Sequence, residues 1–215
     1  MFENIPTEYL EAYYPLRVDG YTTVTDSGGA GLHRGGNGVE KRYVYLEPGH
    51  VSIHDDRWLT RPWGVLGGQP GERSTKLLRR ADGTEQVLPA KCDEIEVAPG
   101  DMLIYRTAGG GGWKDRLDRP VEAVERDVAF GLVSAEKARS AYGVVVGDPE
   151  ATEAERARQR AERGDAAAFD FGPPIDEVLE RCLDETGLSA PVKATPLRWS
   201  PLESRESALE RARRA

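Results

Sequence analysis

From residue 16 to residue 107, apolar and polar positions change over in short runs, the mark of half-buried strands. Leu16-Arg17-Val18-Asp19 and Val39-Glu40-Lys41-Arg42-Tyr43-Val44-Tyr45-Leu46 carry β-branched or aromatic residues at alternating places. Glu47-Pro48-Gly49 turns the chain into Val51-Ser52-Ile53-His54. Lys76-Leu77-Leu78 and Gln86-Val87-Leu88 flank Ala81-Asp82-Gly83, a short hairpin signal. Ile95-Glu96-Val97 and Met102-Leu103-Ile104-Tyr105 flank Ala98-Pro99-Gly100-Asp101, where Pro then Gly suits a type II turn. Ahead of this region, 6–14 predicts a helical turn that stops before Pro15.

The period changes at Pro120. Val121, Val124 and Val128 share one helical face. Gly131 ends that helix, and Ser134 is the expected N-cap of another over 135–142. Tyr142-Gly143-Val144-Val145-Val146 then reads as a strand. Beyond 149 the composition is Ala, Glu and Arg with no apolar stripe, which predicts an exposed helix or a disordered connector. A helix over 175–185 gathers Ile175, Val178, Leu179, Cys182 and Leu183 on one face and needs a surface to dock on. The pattern predicts an α+β chain: a mainly β domain over 1–115, a helix–turn–helix–strand closure over 116–148, and a helical C-terminal extension. Two units are expected, a β-rich one over 1–148 and a charged, helical or partly disordered one over 149–215. A jelly-roll or cupin-like barrel is the alternative, prompted by the Pro-Gly-Asp turn at 99–101. Three scattered histidines cannot supply a cupin's ligand cluster.

A chain of 215 residues buries one good core and at most an appendage. Its net charge of −8 argues against nucleic acid, which needs a concentrated positive surface. The basic residues at 156–163 and 211–214 read as solvated helix faces. MFENIPTEYLEAYY lacks the basic-then-apolar order of a signal peptide, and no stretch approaches ~18 apolar residues. A cytoplasmic protein without membrane or nucleic-acid contact is expected.

Glycine supplies most of the candidate chemistry. It is dense in DSGGAGLHRGGNG at 26–38 and in TAGGGGWKD at 107–115, each reached directly from a β-type run. Clustered glycines in a folded chain need a geometric reason, either tight corners or a backbone wall on which something packs. Nucleotide binding fails on spacing: neither Lys41 nor Lys114 is followed by Ser or Thr as a P-loop requires, and the third position of a GxGxxG match falls on Arg34. His50 and His54 on one strand face would stand about 13 Å apart, too far to share an ion. Cys92 beside Asp93 and Glu94 should have a raised thiol pKa, Cys182 should be packed, and no disulfide framework follows from two cysteines. Trp58, Trp63 and Trp113 admit an aromatic cage, with core and corner packing the favoured reading.

The series ENIPTEYLEAYYPLRV, DSGGAGLHRGGNGVEKRY, PWGVLGGQPG, APGDMLIYRTAGGGGW and RDVAFGLVSAEKARSAYGVVV resembles the C-terminal part of the hydantoinase B/oxoprolinase family. That family covers the B-type chain of N-methylhydantoinase, 5-oxoprolinase and the α-type chains of acetone and acetophenone carboxylases. The resemblance runs from about Glu3 to Asp148 and more weakly through 169–188. It departs at Lys114, where the family pattern has glycine, and at Leu117-Asp118, where it has a proline-containing turn, so the loop need not keep the family's conformation.

The resemblance implies part of an ATP-dependent cyclic-amide hydrolase, from a split or truncated gene and inactive alone. Its expected partners are a hydantoinase A-like ATP-binding subunit and the N-terminal part of the B-type subunit. This chain is expected to bind no cofactor, with ATP and a divalent metal held elsewhere in the complex. A ketone-carboxylase subunit and a non-catalytic module are the alternatives. Asp26, Gly28, Gly29, His33, Arg34, Gly110, Gly111 and Trp113 are the candidate substrate or subunit-interface residues, with catalytic residues unassigned. Both glycine loops are expected to meet and present one face to the rest of the enzyme, with Asp26 capping the amides that follow it, Arg34 contacting a carboxylate or partner, and Lys114 exposed. The apolar face of 175–183 is expected to join that interface.

Overall fold

The computed structural model describes residues 5–164 and 168–188. Residues 189–215 of the C-terminal extension, with the basic cluster at 211–214, lie outside them. α1 (Thr7–Tyr13) ends ahead of Pro15, since the proline ring disfavours helical backbone in the preceding residue. The strands β1 (Leu16–Thr23), β2 (Val39–Tyr45), β3 (Gly49–His54), β4 (Gly64–Val65), β5 (Thr75–Arg79), β6 (Glu85–Val87), β7 (Lys91–Val97) and β8 (Met102–Arg106) follow. Five of them form an antiparallel sheet in the order β1-β2-β8-β5-β6, and β3 pairs with β7 in a separate ribbon. The sheet stays open, with β1 and β6 at its edges, so it is not a closed barrel.

Sheet and ribbon face each other across one core. Leu78, Leu88 and Leu103 meet Ile53 and Val97, flanked by Tyr43, Tyr45 and Ile95. Each such side chain withdrawn from water contributes roughly 1.5–3 kcal/mol. β7 and β8 belong to different layers, so the turn between them is a corner. Gly100 takes φ +88° there, and the Asp101 amide donates to Ala98 O at 3.1 Å, as in a type II turn. Asp101 is buried, accepts from the Ala98 and Ala81 amides at 3.0 and 2.9 Å, and pairs with Arg80 at 2.9 Å. Burial opposes its charge, but these donors outweigh burial and hold its carboxyl below the ordinary value.

A 3-10 turn at Arg116–Asp118, capped by Asp115, leads into α2 (Val121–Ala129), α3 (Ala135–Tyr142) and α4 (Pro149–Glu162). Ser134 caps α3 as expected, its Oγ accepting from the Lys137 amide at 3.0 Å. Val124, Val133, Ala138, Ala141, Tyr142 and Val144 build a second core against Ala30. The strand expected at 142–146 is absent. Gly143 closes α3 at φ +63°, the Val144 amide donates back to Ala138 O, and Val144 is buried in the helical core.

α4 is a helix held by polar groups in place of an apolar stripe. Arg156 donates to Tyr142 O and Arg119 O at 3.1 and 2.7 Å, and Gln159 to Arg139 O at 2.9 Å. β9 (Phe169–Asp170) pairs with β4, and α5 (Ile175–Thr186) follows. Part of the α5 face expected to join an interface docks within the chain: Val178 and Cys182 are buried, with Cys182 Sγ 2.7 Å from an Arg73 nitrogen, while Ile175 stays exposed.

Candidate functional site

Stretches of 27–39, 62–72 and 107–114 lie largely outside the two larger sheets, yet their backbones bond to one another with a period of three. Thr107, Gly110 and Trp113 donate to Val39, Gly36 and His33 at 2.9, 2.8 and 2.9 Å. Gly109 and Gly112 donate to Glu72 and Gln69, whose own amides donate to Ser27 and Ala30. A strand alternates its donors with period two. A three-residue repeat belongs to a polyproline-type extended helix, which sends its amides to neighbours all around it. Here those neighbours are other passes of the same backbone, so the three stretches form a bundle.

The glycines make that closeness possible. A Cβ at Gly28, Gly29, Gly35, Gly109, Gly111 or Gly112 would lie closer than 3.0 Å to a backbone atom of another residue in the bundle or beside it. Gly110 is looser, its nearest such contact being Gly36 N at 3.2 Å. No glycine of 28–38 or 109–112 has positive φ, so these residues serve close packing and not corners. Left-handed backbone sits instead where the runs begin and end, at Asp26 (φ +66°) and Lys114 (φ +60°). Lys114 thus holds the conformation that the glycine of the family pattern would adopt freely, and it is exposed as expected. Because the amides of Gly29, Gly109, Gly110 and Gly112 are taken by carbonyls, the bundle does not cradle a phosphate with them.

The two glycine loops meet as expected, and the structure specifies what their polar residues touch. Asp26 does not cap the amides that follow it. Its carboxylate accepts from the Ser134 amide at 2.8 Å, and its carbonyl accepts from Lys137, tying the bundle to the start of α3. Arg34 meets a carboxylate of the same chain, Asp127 of α2, at 3.3 Å, and Arg119 donates to that oxygen at 2.7 Å. Arg34 also donates to Gly35 O and Asn37 Oδ1, both at 2.8 Å. These contacts seal the bundle against the helices.

The opposite end is open and aromatic. His33 and Trp113 pair through their backbones, their rings 5.2 Å apart, with Lys114 Nζ 4.5 Å from the indole. Val65 lies beside Trp113 and pairs with Phe169. Phe169 stacks on Phe171 at 6.0 Å, and Phe171 meets Trp63 edge-on at 5.7 Å. Trp63 and Trp113 are 45% and 41% exposed, so core packing does not describe them. The sequence reading left 62–72 and 169–171 out of the site, although PWGVLGGQPG and FDFG carried the signal.

A buried charged cluster was also missed. Lys76, on the inward face of β5 with Leu78, contacts Asp55 and lies 3.0 Å from Ser74 Oγ. Burial pulls the ammonium below its ordinary pKa against the pull of Asp55. The Asp55 carboxyl is held low because its bonds to Lys76, Ser74 and Tyr105 outweigh burial. Ser74 and Lys76 are closed to solvent, so the cluster clamps the loop after β3 and offers no reachable nucleophile. Cys92 has a raised thiol pKa, chiefly from burial and only secondarily from Asp93. Among the described residues no three His, Cys, Asp or Glu side chains group as a metal site, and His54 contacts Asp93 at 2.8 Å.

The sequence model of the hydantoinase B/oxoprolinase family matches residues 1–116. The beta chain of the caprolactamase of Pseudomonas jessenii is 37% identical over 161 residues, covering 70% of this chain and 27% of its own. The 5-oxoprolinase of Saccharomyces cerevisiae is 34% identical over 111 residues, covering 52% of this chain and 9% of its own. The solved structure of ATP-dependent caprolactamase from Pseudomonas jessenii aligns with TM-score 0.59 at 32% identity, over 71% of this chain and 28% of that one. Nucleotide-free acetone carboxylase has the same TM-score at 22% identity, over 83% of this chain and 28% of its own, a likeness of fold. The chain spans about a quarter of the length of relatives such as the caprolactamase beta chain and about a tenth of the 5-oxoprolinases. Among the described residues no helix is long and apolar enough to cross a membrane.

Proposed function

Because this chain belongs to the hydantoinase B/oxoprolinase family, we propose that it is the C-terminal portion, or a split subunit, of an ATP-dependent cyclic-amide hydrolase. The observation that carries this reading is its likeness, at 32% identity, to an ATP-dependent caprolactamase. An amide carbonyl is a poor electrophile, and ATP can activate its oxygen by phosphorylation. In this reading that step belongs on an A-type subunit that holds ATP and a divalent metal; the amides of Gly29, Gly109, Gly110 and Gly112 in this chain are already bonded to carbonyls. The contribution of this chain is a rigid wall. Gly28, Gly29, Gly110 and Gly111 hold the backbone, Asp26 and Arg34 fasten it to the helices, and His33 and Trp113 stand at its open end toward the N-terminal part of a B-type chain and the A-type subunit.

The test is co-expression with those two partners, followed by assay of hydantoin, caprolactam and 5-oxoproline for ring opening coupled to ADP release. The expected result is copurification and an ATP-dependent hydrolysis that disappears when this chain is left out. Equal hydrolysis without this chain would overturn the reading in favour of a non-catalytic module. Carboxylation of acetone with bicarbonate, in place of hydrolysis, would move the chain to the ketone-carboxylase branch.

A further inference from the structure

Between the loop after β3 and the segment that enters α5 lies a cavity of about 330 Å³. This is at the small end of the roughly 300–1,000 Å³ usual for ligand clefts. Its walls are apolar, formed by Trp63, Phe171, Ile175 and Val178, with Arg57 and Arg61 as its cations and no carboxylate among its lining residues. Arg57 stands 5.3 Å from the Trp63 ring centroid and makes no ion pair among the described residues. Arg61 pairs with Glu72 through its terminal nitrogens at 3.3 and 3.2 Å. Its Nε is buried and has no hydrogen-bond partner.

That Nε is closed to solvent and the terminal nitrogens are held by Glu72, so the cation a ligand in the cavity meets is Arg57. A guanidinium over an aromatic ring keeps its in-plane donors for a planar anion. Trp63 and Phe171, edge to face at 5.7 Å, form a wall suited to a ring or short alkyl chain. We propose that this cavity binds a small carboxylate with an apolar body, its anionic end on Arg57 and its body against Trp63, Phe171 and Ile175. This site does not rest on the assignment as part of a hydrolase: it shares Trp63 and Phe171 with the open aromatic end of the bundle but needs no partner chain.

The experiment is a ligand-observed NMR titration of the full chain with phenylacetate and with its neutral amide. Phenylacetate is expected to saturate and to bind about tenfold tighter than the amide, the scale of a hydrogen bond to a charged group. Arg57→Gln should erase that preference, and Trp63→Leu should weaken both ligands. Phe171→Leu serves as the second wall variant should Trp63→Leu fail to fold, and Phe130→Ser, on an exposed residue outside the cavity, should change nothing. Equal binding of acid and amide, absence of saturable binding, or binding untouched by Arg57→Gln and the wall variant would each overturn the proposal.

Discussion

The sheet-and-ribbon core and the glycine bundle solve the same problem in opposite ways. In the first, backbone groups pair within layers, and the layers are held apart by Leu78, Leu88, Leu103, Ile53 and Val97. In the second, glycines leave side chains out of the contacts and backbone meets backbone, with every third amide reaching the same neighbour. One region is stabilised by the volume it contains, the other by the volume it lacks. Loss of a methyl group should therefore wound the first, and gain of one the second.

The sharpest break of this contrast is Gly111→Val, whose Cβ would run into Trp63 O. Backbone cannot swing aside as a side chain can, so the expected loss is comparable to a domain's whole stability, about 5–15 kcal/mol. Gly36→Ala, at a glycine with open space around it, should change the unfolding free energy by no more than about 1 kcal/mol. Urea unfolding measures both, and a wild-type midpoint for Gly111→Val would refute the close-packed bundle. On the other side of the comparison, Leu78→Ala should cost about 2–5 kcal/mol by the same measurement.

Acid should strike the sheet-and-ribbon region next. Asp55 and Asp101 are both held below their ordinary value of 3.8. A carboxylate with a depressed folded pKa contributes stability above its unfolded value and loses it as pH falls through the folded one. The melting temperature should accordingly drop below about pH 4, and Asp101→Asn should flatten that drop. A flat wild-type profile in that range would contradict the assignment. The smallest effect belongs to Lys114→Gly. It relieves left-handed backbone worth about 1–2 kcal/mol, but it adds the chain entropy of glycine and removes the lysine from the indole. An unfolding free energy within about 1 kcal/mol of wild type is expected.

Elements with a local cause were legible in the sequence. Ala81-Asp82-Gly83 turns β5 into β6 with Gly83 at φ +89°, and Ser134 starts α3 by accepting a nearby amide. The misreadings arose where distant residues decide. Val144-Val145-Val146 has strand propensity, yet Gly143 ends α3 in left-handed geometry and Val144 is claimed by the helical core. α4 shows no apolar stripe because its arginines bind carbonyls of other elements. Asp26 and Arg34 were named from the sequence, but their partners Ser134 and Asp127 lie about a hundred residues away. The polyproline-type passes leave no alternation of apolar residues to read, so the sequence could not choose between corners and close packing for their glycines.

The hydrogen bonds between passes of the bundle join residues 37 to 82 positions apart. None of them closes a short loop, so each carries a large entropic cost until the others are in place. The β5–β6 hairpin needs only its own turn. The order of folding should follow: hairpin early, bundle last and all at once. Pulse-labelled hydrogen exchange during refolding can read this order, with the amides of Gly109, Gly110 and Gly112 expected to gain protection after those of Arg80 and Leu88, which donate across the hairpin to Thr84 O and Lys76 O. A bundle protected as early as the hairpin would mean that the glycine passes find one another before the sheet exists to align them.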